Sequence, residues 1–167
     1  MEVAMHAIVK KIEPLPEYRL MALFDNGEQR IYDVTPWIKN KRAFAPLRDT
    51  RGLFERVRTD CGGMGIAWND EIDLDADELW EHGSAPWVVK TVKVLDDYRL
   101  LLTFADGKRG IYDAKPLLER KIYAALKSPD FFSRARVNGD SVVWNDDVDI
   151  APELLYERSA PVRDAAP

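Results

Sequence analysis

The chain carries the same unit twice. Residues 7–38 align with 87–118 without a gap at an offset of 80, with 12 identities in 32 positions. Residues 68–82 align with 144–158 at an offset of 76, with 6 identities in 15. The offset falls because the second copy is shorter between the two blocks. Whatever architecture one half adopts, the other must repeat, so positions kept in both copies are those the unit itself needs. A unit of roughly 75–80 residues lies near the lower size limit for a self-sufficient core. Two units are therefore expected, 1–84 and 85–160, packed about a pseudo-twofold axis, with 161–167 as a tail.

The local pattern within a unit predicts strands and short helices. Residues 5–12 are rich in Ile, Val and Lys and read as a strand that Pro14 and Pro16 break. Residues 18–24 form a second strand and 28–33 a third. Asn26-Gly27 separates them in copy one and Asp106-Gly107 in copy two, pairs that suit a tight two-residue hairpin. That loop would set Ala22 opposite Ile31 and Met21 opposite Tyr32. The hairpin is then apolar on both faces, with Leu20, Ala22 and Phe24 on one side and Met21 and Leu23 on the other. A sheet wet on one side alternates more cleanly, so the second face is expected to be covered.

Asp33-Val34-Thr35-Pro36 and Asp113-Ala114-Lys115-Pro116 carry a helix-start signal. Residues 43–57 predict a further short helix or turn. A closing hairpin then leads to Trp68 or Trp144, and each unit ends in a helical turn, Asp77–Glu81 or Pro152–Glu157. The chain after Tyr156 reads as frayed or extended. The fold class expected is α+β: a three-strand antiparallel meander, short helices and a closing hairpin, occurring twice.

Composition narrows the function classes. A charged share of 32% and a hydrophobic share of 46% describe an ordinary globular protein. Residues 1–84 hold 11 Lys+Arg against 16 Asp+Glu, while 85–167 balance at 13 against 13. An acidic half argues against a general nucleic-acid binder, which shows a concentrated basic footprint. The basic residues around Lys39–Arg42 and Arg48–Arg58 read as a solvated face. A single cysteine, Cys61, rules out an intrachain disulfide. No stretch is apolar enough for a signal peptide or a membrane span, which predicts a reduced, cytoplasmic protein.

These residues resemble a bacterial family catalogued only as a domain of unknown function, number 2442. Its pattern runs from an aromatic-x-Leu strand and a Phe-x-Asp-Gly hairpin to a strand ending in Asp and a short Pro-containing helix. It closes on Phe-x-x-Val, Trp-x-x-x-x-Asp and a Leu-Tyr turn. In copy one the matching positions are Tyr18, Leu20, Phe24, Gly27, Asp33, Pro36, Phe54, Val57, Trp68, Asp73 and Leu79. In copy two they are Tyr98, Leu100, Phe104, Asp106, Gly107, Asp113, Pro116, Phe132, Trp144, Asp149, Leu155 and Tyr156. Family members are usually single units, sometimes joined to a helix-turn-helix domain, and often lie beside small genes arranged like toxin–antitoxin pairs. No activity comes with the resemblance. This chain departs by carrying two units and no helix-turn-helix segment.

Few residues stand out as sites. Asp73, Asp75 and Asp77 have the spacing that begins a calcium loop, but Glu78 and Ser84 stand where Gly and a carboxylate are required, so no metal is expected. His6 and His82 are far apart and have no ligand spacing. Cys61 has no identifiable activating base, and no phosphate loop or nucleophile motif is present. Asp33 and Asp113, kept in both copies, are either helix caps or binding residues. Trp68 and Trp144 read as core anchors. Trp37 and Trp87 are not shared, since Leu117 and Ala7 occupy the matching positions, and are candidates for a seam or partner surface.

The sequence therefore predicts a non-catalytic protein-interaction module without cofactor, binding another protein or itself. The family's gene neighbourhoods imply an antitoxin-like or adaptor role. The alternative is a small-ligand-binding regulatory domain that uses the cleft between units with Asp33, Asp113 or Trp37.

Overall fold

In the computed structural model, which describes residues 6–162, the first unit opens with a three-stranded antiparallel meander. Its strands are β1 (Val9–Leu15), β2 (Arg19–Phe24) and β3 (Gln29–Asp33), in that spatial order. A short helical excursion follows, containing α1 (Thr35–Asn40) and α2 (Pro46–Asp49) with 3-10 turns around them. The unit closes with β4 (Arg58–Thr59), β5 (Gly65–Ala67), β6 (Asp73–Asp75) and α3 (Ala76–His82). The second unit repeats this with β7 (Val89–Leu95), β8 (Arg99–Phe104) and β9 (Arg109–Asp113). After 3-10 turns over 115–127 come α4 (Pro129–Phe132), β10 (Arg136–Asn138), β11 (Ser141–Asn145), β12 (Val148–Ile150), α5 (Pro152–Arg158) and β13 (Ala160–Pro161). The two units part between Pro86 and Trp87. The α+β class with antiparallel sheets holds in each.

Four expectations need correction. First, β1 continues through Pro14 to Leu15, because as an edge strand it can place a proline opposite Leu20 without losing a needed donor. Second, the β2–β3 register differs by one residue. Leu20 pairs with Tyr32, Met21 with Ile31 and Ala22 with Arg30. The Phe24 N–H reaches the Glu28 carbonyl at 2.9 Å and the Gly27 N–H reaches Phe24 at 3.0 Å. Gly27, with φ +86°, is the residue of positive φ in this loop. It is a three-residue connection with a glycine bulge rather than a two-residue turn. The slip matters because it puts the buried Tyr32 on the core face beside Leu20.

Third, the closing element has three strands in each unit, since β6 pairs with β5 and β12 with β11. Part of the acidic run is thus strand, with Asp73 and Asp75 exposed on either side of buried Leu74. Fourth, the chain beyond Tyr156 is ordered as far as Pro161. α5 runs on to Arg158, and β13 adds to β9 through Ala160 opposite Ile111 and Pro161 opposite Gly110. In the first unit Ser84 makes the same bridge to Ile31, through hydrogen bonds of 2.7 and 2.8 Å. A strap after the last helix therefore closes the outer edge of each meander. Residues 163–167 of the expected tail lie outside the described residues.

The strap crosses the sheet closely, and the two copies solve the crossing in opposite ways. In unit one the strap residue is Gly83 and the strand residue Arg30. A Cβ at Gly83 would lie 2.4 Å from the Leu79 carbonyl and 2.8 Å from the Arg30 Cβ. In unit two the strap residue is Ser159 and the strand residue Gly110, where a Cβ would lie 2.5 Å from the Ser159 Cβ. Only one of the two residues can carry a side chain.

Each unit has its own core, and the shared residues build it. Trp68 donates Nε1–H to the Phe54 carbonyl at 3.0 Å, and Trp144 to Phe132 at 2.8 Å. Tyr18 meets Phe54 edge-on at 5.3 Å, and Tyr98 meets Phe132 at 5.2 Å. Arg58 and Arg136 donate to the carbonyls of Trp68 and Trp144 at 3.3 and 3.1 Å. That arginine pair sits at an offset of 78, within the stretch where the two sequence blocks lose register. Leu20, Ala22 and Phe24 are buried on the core face, as are Leu100, Leu102 and Phe104. On the other face Leu15, Met21 and Leu23, and in unit two Leu95, Leu101 and Ile111, are half-buried and lie outside the core clusters.

Candidate functional site

A cavity of about 270 Å³ opens in the first unit, lined by Trp37, Phe44, Asp73, Leu74, Asp75 and Glu78. Two stretches distant in sequence, 37–44 and 73–78, supply these residues. Trp37 and Phe44 come from the helical excursion, which the proline at the start of α1 and the 3-10 turn over 42–44 fold back over the sheet. Asp73 and Asp75 come from β6, where strand alternation puts both carboxylates on the side opposite Leu74. Glu78 comes from α3, and His82 follows four residues later on the same helical face.

A chain of hydrogen bonds fixes the aromatic wall. Trp37 Nε1–H donates to the Tyr32 hydroxyl at 2.7 Å, and that hydroxyl donates to Glu78 Oε1 at 2.7 Å. Glu78 Oε2 lies 3.1 Å from His82 Nδ1. The Trp37 and Phe44 rings stand 5.0 Å apart, tilted by 39°. Burial holds the Tyr32 hydroxyl far above the usual tyrosine range; its bond to Glu78 adds to this, and the Trp37 N–H works the other way. Tyr32 is thus a neutral hydrogen-bond donor, and the cavity mouth carries three carboxylates. Such a site is aromatic on one side and anionic on the other.

The second unit lacks this arrangement. Tyr112 keeps the tyrosine, but Leu117, Ile150, Ala151, Leu154 and Arg158 stand where unit one has Trp37, Leu74, Asp75, Glu78 and His82. Leu117 and Ile150 are buried, and Leu154 packs against the core of its unit. Among the described residues, no group of three His, Cys, Asp or Glu is gathered as a metal ion requires.

Of the residues weighed from sequence, Trp37 enters this site, as do Asp73 and Asp75 of the acidic run, while Asp33, Asp113 and Trp87 do not. Asp33 is exposed, and its Oδ1 accepts the Thr35 N–H at 2.9 Å; Asp113 does the same for Lys115 at 3.0 Å. Both hold a turn one residue ahead of the N-cap positions Val34 and Ala114, so the capping role moves to an Asx turn. Lys115 also pairs with Asp97 at 2.6 Å. Trp87 is half-buried at the start of the second unit. Sequence reasoning missed Tyr32, Phe44 and Glu78. The signal available was the contrast between copies: an aromatic and a carboxylate, Trp37 and Glu78, both become leucine.

The family described as "Protein of unknown function (DUF2442)" matches residues 9–85 and again residues 89–161. The chain belongs to that family and carries its domain in tandem. No curated protein and no solved structure matches the chain.

Proposed function

We propose that this tandem member of the family is a non-catalytic protein-interaction module of the bacterial cytoplasm, with an antitoxin-like or adaptor role. The observation that carries the reading is the second face of each meander. Leu15, Met21 and Leu23 in one unit and Leu95, Leu101 and Ile111 in the other lie outside their unit's core cluster. Apolar side chains at such positions suit contact with a protein surface. The polar groups shared by the copies point the same way. Asp33 and Asp113 hold turns, the paired tryptophans bond to backbone, and Arg58 and Arg136 brace them. Duplication then supplies two related surfaces on one chain. No helix among the described residues is long and apolar enough to cross a membrane.

The test is affinity capture of the tagged full chain from its own host, run beside Met21→Glu and Leu101→Glu variants whose melting temperatures have been checked. A protein that stays bound through a salt wash on the parent chain, and is lost from a stably folded variant, supports the reading. No retained protein, together with a strictly monomeric chain in sedimentation, refutes it.

A further inference from the structure

We propose that the cavity of the first unit binds an organic cation of the alkylguanidinium or alkylammonium class. The inference is independent of the apolar sheet face and goes beyond it. The cavity, at about 270 Å³, falls just below the roughly 300–1,000 Å³ of sites that take drug-sized ligands. It therefore suits a group the size of a basic side chain.

Three observations give the charge and shape of the occupant. The first is the wall: Trp37 and Phe44 line the cavity together, with the indole held by its bond to Tyr32. Aromatic faces attract cations, tryptophan most strongly. Elsewhere in this chain three half-buried rings carry a cation of their own. Arg30 lies 4.3 Å from the Trp80 ring centre, Lys108 4.1 Å from Tyr156 and Arg120 5.8 Å from Tyr123. Among the described residues no such cation stands over Trp37 or Phe44. The second is the mouth. Neither Asp73 nor Asp75 has an ion pair or side-chain hydrogen bond among the described residues, and Glu78 receives only the Tyr32 hydroxyl and His82.

The third is the internal comparison. At the matching positions the second unit places Leu117, Ala151 and Leu154, and it folds with Leu117 buried. The architecture does not require Trp37, Asp75 or Glu78. Unit one gives up apolar burial at this place and keeps a half-buried ring beside carboxylates. The hydrogen bonds through Tyr32 hold Trp37 and Glu78 in place but do not engage Asp73 or Asp75, and a local departure of this kind is expected at a functional site. A guanidinium or ammonium group on an alkyl stem satisfies both halves: the stem packs on the rings, and the charge meets the carboxylates.

The experiment follows the indole N–H signals of the full chain by NMR. The Trp37 signal is assigned by its loss in Trp37→Leu; the remaining tryptophans, of five in all, report on the fold. Butylguanidinium, butylammonium and a capped arginine amide are titrated, with butanol and butyrate as neutral and anionic controls. Saturable movement of the Trp37 signal is expected with the cations and not with the controls. Asp75→Ala, which installs the second unit's residue at an exposed position, should weaken binding about two- to fivefold and reduce its salt dependence. Binding of the capped amide points to a partner's side chain as the source, and binding of the free cations alone to a small molecule. An unmoved Trp37 signal, equal movement with butanol, or unchanged affinity in Asp75→Ala overturns the proposal.

Discussion

Replacing Gly83 by serine tests the strap crossing, because the second copy already carries serine there. Taken alone, Gly83→Ser drives a Cβ to 2.8 Å from the Arg30 Cβ and 2.4 Å from the Leu79 carbonyl. Neither is the far end of a flexible side chain, so the strap must shift both from Arg30 on β3 and from the Leu79 carbonyl of α3. Overpacking of this kind costs about 1–3 kcal/mol. The backbone itself permits serine, since Gly83 has φ −78° and ψ 163°, near the −70° and 132° of Ser159. Arg30→Gly alone loses the stacking on Trp80 and weakens the strand, together about 1–2 kcal/mol. The pair Gly83→Ser with Arg30→Gly recreates the second unit's solution, so the serine no longer meets a Cβ. The double variant should therefore be more stable than the sum of the single losses, by a coupling of about 1–2 kcal/mol. For a chain of this size that amounts to roughly 2–8 °C in melting temperature. Urea unfolding of the four proteins, followed by far-UV circular dichroism, measures the cycle. Additivity within about 0.5 kcal/mol, or a Gly83→Ser variant as stable as the parent, would show that the close crossing is not what fixes glycine here.

Other perturbations probe each level of the structure. Trp68→Phe and Trp144→Phe each leave a backbone carbonyl without its indole donor and open space in a core, so each should lose about 2–4 kcal/mol in urea unfolding; a loss under about 0.5 kcal/mol in either would refute the anchoring role. Glu17 and Tyr18 adopt φ of 63° and 58°, a left-handed conformation that costs a side-chain-bearing residue about 1–2 kcal/mol. Glu17→Gly should therefore raise stability by about 0.5–1 kcal/mol, after the extra freedom of glycine in the unfolded chain is counted, and a lower melting temperature would contradict this. The Tyr156 hydroxyl is pushed up to about 12 by burial and then by its 2.6 Å hydrogen bond to Asp106. Its stabilising contribution is complete below about pH 10, the unfolded tyrosine value, and is lost as pH rises through the folded one. Tyr156→Phe should thus flatten the stability profile between about pH 10 and 12, relative to the parent, and an identical alkaline slope would refute the assignment.

The chain's duplication fixed the largest feature, two α+β units of one design, because identities at constant offset need no knowledge of packing. The prolines at 36 and 116 act through their immediate neighbours, and the size of Trp68 and Trp144 marks them as core residues. Their roles follow from backbone geometry and size, and they stand where the sequence placed them. What the sequence left open depends on contacts between segments far apart along the chain. The one-residue register of β2 against β3 was decided by a bulge at Gly27, whose presence no alternation of apolar residues reveals. The strap lies at the sheet edge because that edge had unpaired backbone groups to satisfy. The exchange of Arg30·Gly83 for Gly110·Ser159 is visible only once residues 53 and 49 positions apart meet. The same holds for the candidate site. Trp37, Tyr32, Asp75 and Glu78 are ordinary residues in sequence. They become one aromatic, anionic cavity only when the excursion, β6 and α3 pack against the end of β3, since hydrogen bonds of 2.7 Å require a fixed spatial arrangement that local preference cannot supply.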